Sequence, residues 1–272
     1  MKIATYNIWN SEQARAERLR ALYVEIRKQK ADVLALQEVS SHIPGSGGKN
    51  LAEVIAAETG YKHWYFAQYP GEKEGLAFFS SFPIVSGVAG WNKKSTMNAG
   101  CAIRMTAKCG DAEVSFTNVH LSFESALKRE NQTAAVAAWI ASAQKANAHE
   151  VLLGDFNSYP ESSVHRFLSG QQSLGGTSTG AGWWDLAASY ASRNNCSALS
   201  TLDFRNNPRW RGVNENGMEI PGRFDWILLK NCYPRRYPKI NMVKLFGVKP
   251  LPGTRVVPSD HYGVLADVSF NA

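Results

Sequence analysis

The sequence predicts an α/β domain of two packed β-sheets with helices outside. Three observations point to it. Strand-like and helix-like segments alternate from the first residue. The stretch from Tyr61 to Val119 reads as consecutive strands, which argues against a doubly wound parallel sheet. The order strand, polar loop, helix, strand, acidic residue also occurs twice, from Ile3–Asn7 through Glu38 and from Val114–His120 through Asp155. Two such halves describe a single domain over residues 1–272.

The elements follow in order. Ile3–Ile8 has the apolar character of a buried strand. In Ala14–Lys30, Leu19, Leu22, Tyr23 and Ile26 recur at helical spacing. Val33–Leu36 is a short buried strand ending at Gln37-Glu38, and Pro44-Gly45 and Gly47-Gly48 give Ser41–Asn50 its turn chemistry. A helix over Leu51–Thr59 stops at Gly60. Strands then follow at Lys62–Ala67, Leu76–Ser80, Ile84–Ala89, Cys101–Ala107 and Glu113–Val119. Ser125–Asn147 is the longest helix and Glu150–Leu153 a buried strand. Beyond these come a helix near Ser162–Ser169 and strands near Leu199–Asp203, Phe224–Leu229, Asn241–Phe246 and Tyr262–Val268. The Gly, Ser and Thr-rich stretch Gln171–Gly182 is too short for a domain boundary. The paired Trp183-Trp184 is expected in the core.

Composition excludes several classes. With 272 residues, 44% hydrophobic and 11% aromatic, the chain is neither disordered nor a disulfide-stapled miniprotein. No apolar run reaches the ~20 residues that span a bilayer. The N-terminus enters a strand without a signal-peptide pattern, so a cytoplasmic, monomeric protein is expected. Cys101, Cys109, Cys196 and Cys232 are far apart, without zinc spacing, and are expected to be reduced thiols. Charge is uneven. Phe204–Arg255 holds 11 Lys+Arg against 3 Asp+Glu, while the other 220 residues sum to −1. Aromatics from Trp210 to Phe246 are interleaved with these cations. This reads either as a solvated basic face or as a surface for a polyanion, nucleic acid or anionic membrane.

Polar clusters stand at the ends of the expected strands: Asn7; Gln37-Glu38; Asn118 and His120; Gly154-Asp155-Phe156-Asn157; Arg223-Phe224-Asp225-Trp226; and Ser259-Asp260-His261. One polar strand end is ordinarily a cap or turn former. Six of them delivering carboxylates, histidines and amides to sheet rims call for chemistry. Glu38, Asp155 and Asp260 offer the oxygen donors that a hard Mg²⁺ or Mn²⁺ requires. Asn7 and Asn157 can hydrogen-bond phosphate oxygens or a nucleophilic water. The histidines are too dispersed for zinc.

Thr5-Tyr6-Asn7, Leu36-Gln37-Glu38-Val39, Asn118-Val119-His120-Leu121, Gly154-Asp155-Phe156-Asn157 and Ser259-Asp260-His261 resemble, in order, the signature blocks of the endonuclease/exonuclease/phosphatase superfamily. The resemblance covers residues 5–268. It implies a deoxyribonuclease I-like four-layer αββα sandwich and a metal-dependent phosphoesterase using Mg²⁺, with Mn²⁺ able to substitute. Glu38 matches the metal-binding glutamate, Asn7 the asparagine beside it, and Asp260 lies beside metal and water. Asp155 matches the aspartate that orients or deprotonates the water, and Asn157 the asparagine that stabilises the phosphorane. His261 matches the terminal catalytic histidine, Asp225 its carboxylate partner, and His120 the other phosphate-contacting histidine. Glu74 is placed as a partner of that second histidine, and Arg129 as a brace for the site.

The resemblance leaves the substrate open. A nucleic-acid phosphodiesterase leads, because the basic segment suits a polyanion, with Asn118, Arg209, Trp210 and Arg211 as expected substrate-binding residues. A phospholipid or sphingomyelin phosphodiesterase, a phosphatase of a small phosphorylated metabolite, and a non-catalytic binding protein are the alternatives.

Overall fold

The computed structural model describes residues 1–45, 47–91, 100–109, 112–145, 148–180, 182–210, 218–234 and 236–270. In chain order its elements are β1 (Lys2–Asn7), α1 (Arg15–Gln29), β2 (Val33–Ser40), α2 (Leu51–Thr59), β3 (His63–Gln68), β4 (Glu74–Ser80), β5 (Ile84–Ala89), β6 (Ala102–Cys109), β7 (Ala112–His120), α3 (Ala126–Ala143), β8 (His149–Asp155), α4 (Ser163–Leu168), β9 (Trp183–Asp185), α5 (Leu186–Arg193), β10 (Asp225–Lys230), β11 (Lys239–Phe246) and β12 (Gly263–Ser269). Two six-stranded mixed sheets form, ordered β11-β12-β1-β2-β4-β3 and β5-β6-β7-β8-β10-β9. The repeated pattern in the sequence is a real structural echo. β1 pairs in parallel with β2 across α1, and β7 with β8 across α3.

Alternation along the strands builds the four layers. Ile3, Val33, Phe78, Phe116, Val151 and Ile227 fill the space between the sheets. Tyr6, Leu34, Leu36 and Phe79 face outward to Leu22 and Ile26 of α1 and Ile55 of α2. Val119, Leu152 and Trp226 face outward to Val136 and Ile140 of α3 and Phe167 of α4. Continued toward the strand ends, the same inward parity carries Asn7, Gln37, Asn118, His120, Asp155 and Asp225 to one end of the inter-sheet space.

Several strands run further toward that end than the apolar runs indicate. β2 continues through Gln37-Glu38 to Ser40, with a register shift against β4 between Leu36 and Val39. β7 reaches His120 and β8 reaches Asp155, in register with each other. Just before Asp155, Gly154 has φ +139°, and a Cβ there would lie 2.0 Å from the Val119 carbonyl oxygen. The close β7–β8 approach that aligns His120 with Asp155 therefore requires glycine.

The second half departs from the sequence reading. Leu199–Asp203 is no strand. Instead Leu202 makes isolated bridges to Gly222 and His261. β9 and α5 were not expected, because an eight-residue helix of Ala and Ser after a Gly-rich loop has a weak apolar stripe. Its signal is Asp185, whose carboxylate caps α5 by accepting from the Ala187 and Ala188 amides, both at 3.0 Å. Trp183 is buried as expected, but Trp184 is half exposed. Cys101, Cys109, Cys196 and Cys232 form no disulfide with one another. Among the described residues no helix is long and apolar enough to cross a membrane.

Asp185 also accepts from Arg223 Nη1 at 2.8 Å and faces His165 Nε2 at 3.0 Å. Burial opposes its charge, but His165, Arg223 and the amides outweigh burial and hold the carboxyl below its ordinary value. Its contribution is thus present above the unfolded value and lost as pH falls through the lowered folded one. Asp185→Asn leaves buried Arg223 without a counter-charge, so about 3–5 kcal/mol of stability should be lost at neutral pH. In urea unfolding, the gap to the unaltered protein should narrow below about pH 4. A gap independent of pH would contradict this role.

Candidate active site

The cleft is built around a bridging amide. Asn7 Nδ2 donates to Glu38 Oε1 at 2.9 Å and to Asp155 Oδ2 at 3.0 Å, joining carboxylates from the two sheets. Its Oδ1 accepts from the Trp9 amide at 3.0 Å, and its backbone carbonyl accepts from Ser259 Oγ at 2.7 Å. Asn7 therefore orients the carboxylates, and its amide oxygen uses one of its two acceptor positions on the Trp9 amide. Glu38 has φ +58° at the β2 irregularity, which turns its side chain out of strand alternation and into the cleft. Its other oxygen, Oε2, accepts from the Asn10 amide at 2.8 Å.

Asp155 receives a second donor, the Asn157 amide at 2.8 Å to Oδ1. Asn157, at φ +46°, donates Nδ2 to the Leu121 carbonyl at 2.9 Å, fixing its side chain beside the end of β7. Across Asp155 Oδ2 stand two imidazoles, His120 Nε2 at 3.7 Å and His261 Nε2 at 3.9 Å. His120 Nε2 is also 4.0 Å from Glu38 Oε1.

His261 Nδ1 lies 2.9 Å from Asp225 Oδ2. Burial disfavours the imidazolium, but Asp225 and Asp155 overcome it and raise the histidine well above its ordinary value. The dyad therefore retains a proton, with Nε2 turned toward Asp155. Thr201 positions the dyad from beneath: its Oγ1 accepts from the Phe224 amide at 3.0 Å and the Asp225 amide at 3.1 Å, and its carbonyl accepts from Tyr262 N. Asp260 completes the group. Burial raises its carboxyl, and Glu38 adds to that effect while His261 opposes it.

One cleft thus gathers Asn7, Glu38, His120, Asp155, Asn157, Asp225, Asp260 and His261. Asp155, Asp225 and His261 offer ligand atoms within 4.8 Å of one another. Within that cluster His261 Nδ1 is already engaged by Asp225, which leaves Nε2 on the side of Asp155. Glu38 and Asp260 add oxygen donors that could hold a cation, with the raised, half-buried carboxyl of Glu74 near Glu38.

Other expectations are corrected. Asn118 is fully buried and does not reach substrate. Its Nδ2 donates to the Leu36 and Ala77 carbonyls at 2.9 and 3.1 Å, and its Oδ1 accepts from Gln37 Nε2 at 2.7 Å. It ties β7 of one sheet to β2 and β4 of the other. Glu74 accepts from Asn10 Nδ2 at 2.9 Å, and no hydrogen bond joins it to His120 among the described residues. Arg129 braces the loop after His120 by donating to the Ser122 and Phe123 carbonyls. Trp210 packs on Phe204 and donates Nε1 to the Asp260 carbonyl at 3.3 Å, so it anchors the loop carrying Asp260. Arg209 Cζ lies 5.3 Å from the Trp9 ring centroid at the rim. Arg211 and Arg235 lie outside the described residues.

Sequence reasoning missed Arg18. It is 2% exposed, donates to the carbonyls of Ile8, Trp9, Ser11, Gln13 and Pro258, and stacks on Trp9 at 4.6 Å. Burial, with Arg209 nearby, lowers its guanidinium to about 10. The signal was present: Arg18 shares the i, i+4, i+8 face of Leu22 and Ile26, a cation within an apolar stripe.

Residues 4–261 match the Endonuclease/Exonuclease/phosphatase family. The chain belongs to that family. It is accordingly a phosphoester-hydrolysing enzyme. Among solved structures, Danio rerio TDP2 complexed with single-strand DNA product is similar at TM-score 0.73 and 16% identity, covering 99% of each chain. TDP2 from Caenorhabditis elegans gives 0.72 and 19%, covering 99% of this chain and 74% of that one. The human Nocturnin catalytic domain with bound sulfate gives 0.67 and 17%, covering 100% and 93%. No curated protein matches the sequence.

The dyad makes a directional prediction. Asp225→Asn removes the carboxylate most responsible for raising His261, so its titration, followed by NMR, should move to lower pH. An unchanged titration would show that Asp225 does not hold the proton on His261.

Proposed function

We propose that the enzyme is a divalent-metal-dependent phosphodiesterase acting on nucleic acid, with water as the nucleophile. The observation that carries this reading is Asp155. Two amide donors fix its carboxylate, and two imidazoles approach its Oδ2 at 3.7 and 3.9 Å.

A phosphodiester resists hydrolysis because its anionic oxygens repel the nucleophile. Asp155, oriented by Asn7 and Asn157, holds the water and takes its proton. His261, kept protonated by Asp225, donates to a phosphate oxygen where negative charge grows, and His120 and Asn157 add donors on the same side. Glu38 and Asp260 fit a hard cation such as Mg²⁺ or Mn²⁺: both are oxygen donors, and positive charge would favour the ionised Asp260 that burial, with Glu38 beside it, disfavours. When bound, the cation supplies Lewis-acid neutralisation of phosphate charge.

Nucleic acid is favoured as substrate by the basic segment, by the rim cation Arg209 on Trp9, and by the likeness of the fold to a TDP2 structure holding a single-strand DNA product.

Two measurements check this reading. Glu38→Gln should lower turnover by orders of magnitude and weaken the Mg²⁺ response while leaving circular dichroism unchanged; full activity with an unaltered metal titration would remove Glu38 from the site. The second is oligonucleotide binding by an Asp155→Asn protein, which should weaken steeply with salt. Changing Arg209 and Arg211 to Gln should reduce the slope of log affinity against log salt by about 0.7 for each lost phosphate contact. Binding indifferent to salt and to both arginines would count against nucleic acid at this rim.

A further inference from the structure

The side of the sandwich farthest from β3 and β5 holds features that the catalytic cleft does not use. There β11 and β9 are the outer strands of their sheets, and α5 packs against both and against β10. β10 runs from Asp225 in the cleft to Lys230, which pairs with Trp183 at the opposite end. At that far end Trp184, Leu186, Leu229, Tyr237, Pro238 and Ile240 wall an apolar cavity of about 270 Å³. Trp184 is 50% exposed and meets Tyr237 edge-on at 6.0 Å, and Tyr233 nearby in sequence is 81% exposed. A second cavity, of about 250 Å³, lies between α5 and β11 with Val243, Leu245, Lys244 and Arg223 in its lining.

Charge runs along the same side. Between Asp225 and Asp260 the sequence has no Asp or Glu but seven Lys and Arg. Lys239, Lys244, Lys249 and Arg255, five or six residues apart, are exposed and have no ion pair among the described residues. β11 leads them from the aromatic cavity, where Lys239 lies opposite Ser269, toward the catalytic end, where Phe246 lies opposite Gly263, two residues past His261. Asp267 on the adjacent β12 is engaged by the N-terminal ammonium. Cations on an outer strand discourage edge pairing, which would account for Lys239 and Lys244. It would not account for exposed Trp184, Tyr233 and Tyr237, or for the cations beyond the strand.

Resting on the nucleic-acid reading above, we propose that the seam between α5 and β11 is a second binding site for the unpaired strand of the same substrate. Trp184 and Tyr237 stack on bases, and Lys239 and Lys244 meet phosphates on the path to the cleft. Charge complementarity selects a polyanion, and exposed aromatic faces followed by a row of cations suit single strands, whose bases are free to stack. β11 alone spans about 25 Å at its strand rise, so only a strand of several nucleotides reaches both sites.

The test is fluorescence anisotropy of the full chain carrying Asp155→Asn with labelled single strands of about 3 and about 12 nucleotides, lengths bracketing common single-strand site sizes. The long strand should bind much more tightly. Trp184→Ala and Tyr237→Ala should each weaken the long strand about tenfold and leave the short one unaffected. Lys239→Glu with Lys244→Glu, exposed positions that do not threaten folding, should close the gap and flatten the salt dependence of the long strand by about 0.7 per contact. Equal affinity for both lengths, or a gap insensitive to both pairs of changes, would overturn the second site. So would binding to phosphatidylserine vesicles through these aromatics without strand binding, which would assign the surface to a membrane. Hydrolysis plays no part in this readout. An enzyme that cleaves strands without a length effect loses only the second site, whereas one that binds long strands but cleaves none refutes the substrate reading.

Discussion

The site depends on buried amides that lock the two sheets together at one end. Asn118 reaches across to the Leu36 and Ala77 carbonyls and to Gln37, while Asn7 reaches across to Asp155. An apolar sandwich alone sets sheet spacing loosely, because dispersion and burial are non-directional. Hydrogen bonds in a dry interior are directional, and leaving a partner unpaired there costs about 1–3 kcal/mol each. The seam therefore fixes the separation between Glu38 on one sheet and Asp155 on the other. The bridge works because inward strand parity, set by the core, places an amide or carboxylate at the end of each central strand.

The charges that this geometry gathers repel one another. Glu38, Glu74, Asp155, Asp225 and Asp260 converge with two imidazoles near them, and burial raises Glu74, Asp225 and Asp260. His261 answers part of that repulsion by retaining a proton between Asp225 and Asp155. What remains suits a divalent cation and the anionic substrate that it would neutralise. Arg18 and Trp210 stabilise the surrounding loops through backbone carbonyls, so the rim is held by hydrogen bonds that leave the carboxylates free for chemistry.

Much of this was legible in the sequence. The paired strand–helix–strand pattern pointed to two packed sheets with helices outside, and the resemblance of the strand-end blocks paired Asp225 with His261. The errors share a physical cause. Asn118 and a catalytic amide look alike in sequence, since both sit at inward strand ends; only the facing sheet decides whether such an amide is clamped or exposed. Trp210 suits base stacking by residue type and Glu74 a histidine partner by resemblance, but the Asp260 carbonyl and Asn10 engage them in the fold. Thr201 lies outside any regular element, where neither periodicity nor charge marks it. Arg18 is readable in the sequence as a cation on the helical face of Leu22 and Ile26.

On the proposed function, this cleft hydrolyses nucleic-acid phosphodiesters with a divalent cation. The most direct measurement is turnover of an equimolar panel, comprising single-stranded DNA and RNA, plasmid DNA, sphingomyelin and an inositol phosphate, in Mg²⁺ and again in excess chelator. Cleavage of a nucleic-acid member, abolished by the chelator, is the expected result. Faster turnover of the lipid or the inositol phosphate, or nucleic-acid cleavage that persists in chelator, would contradict it.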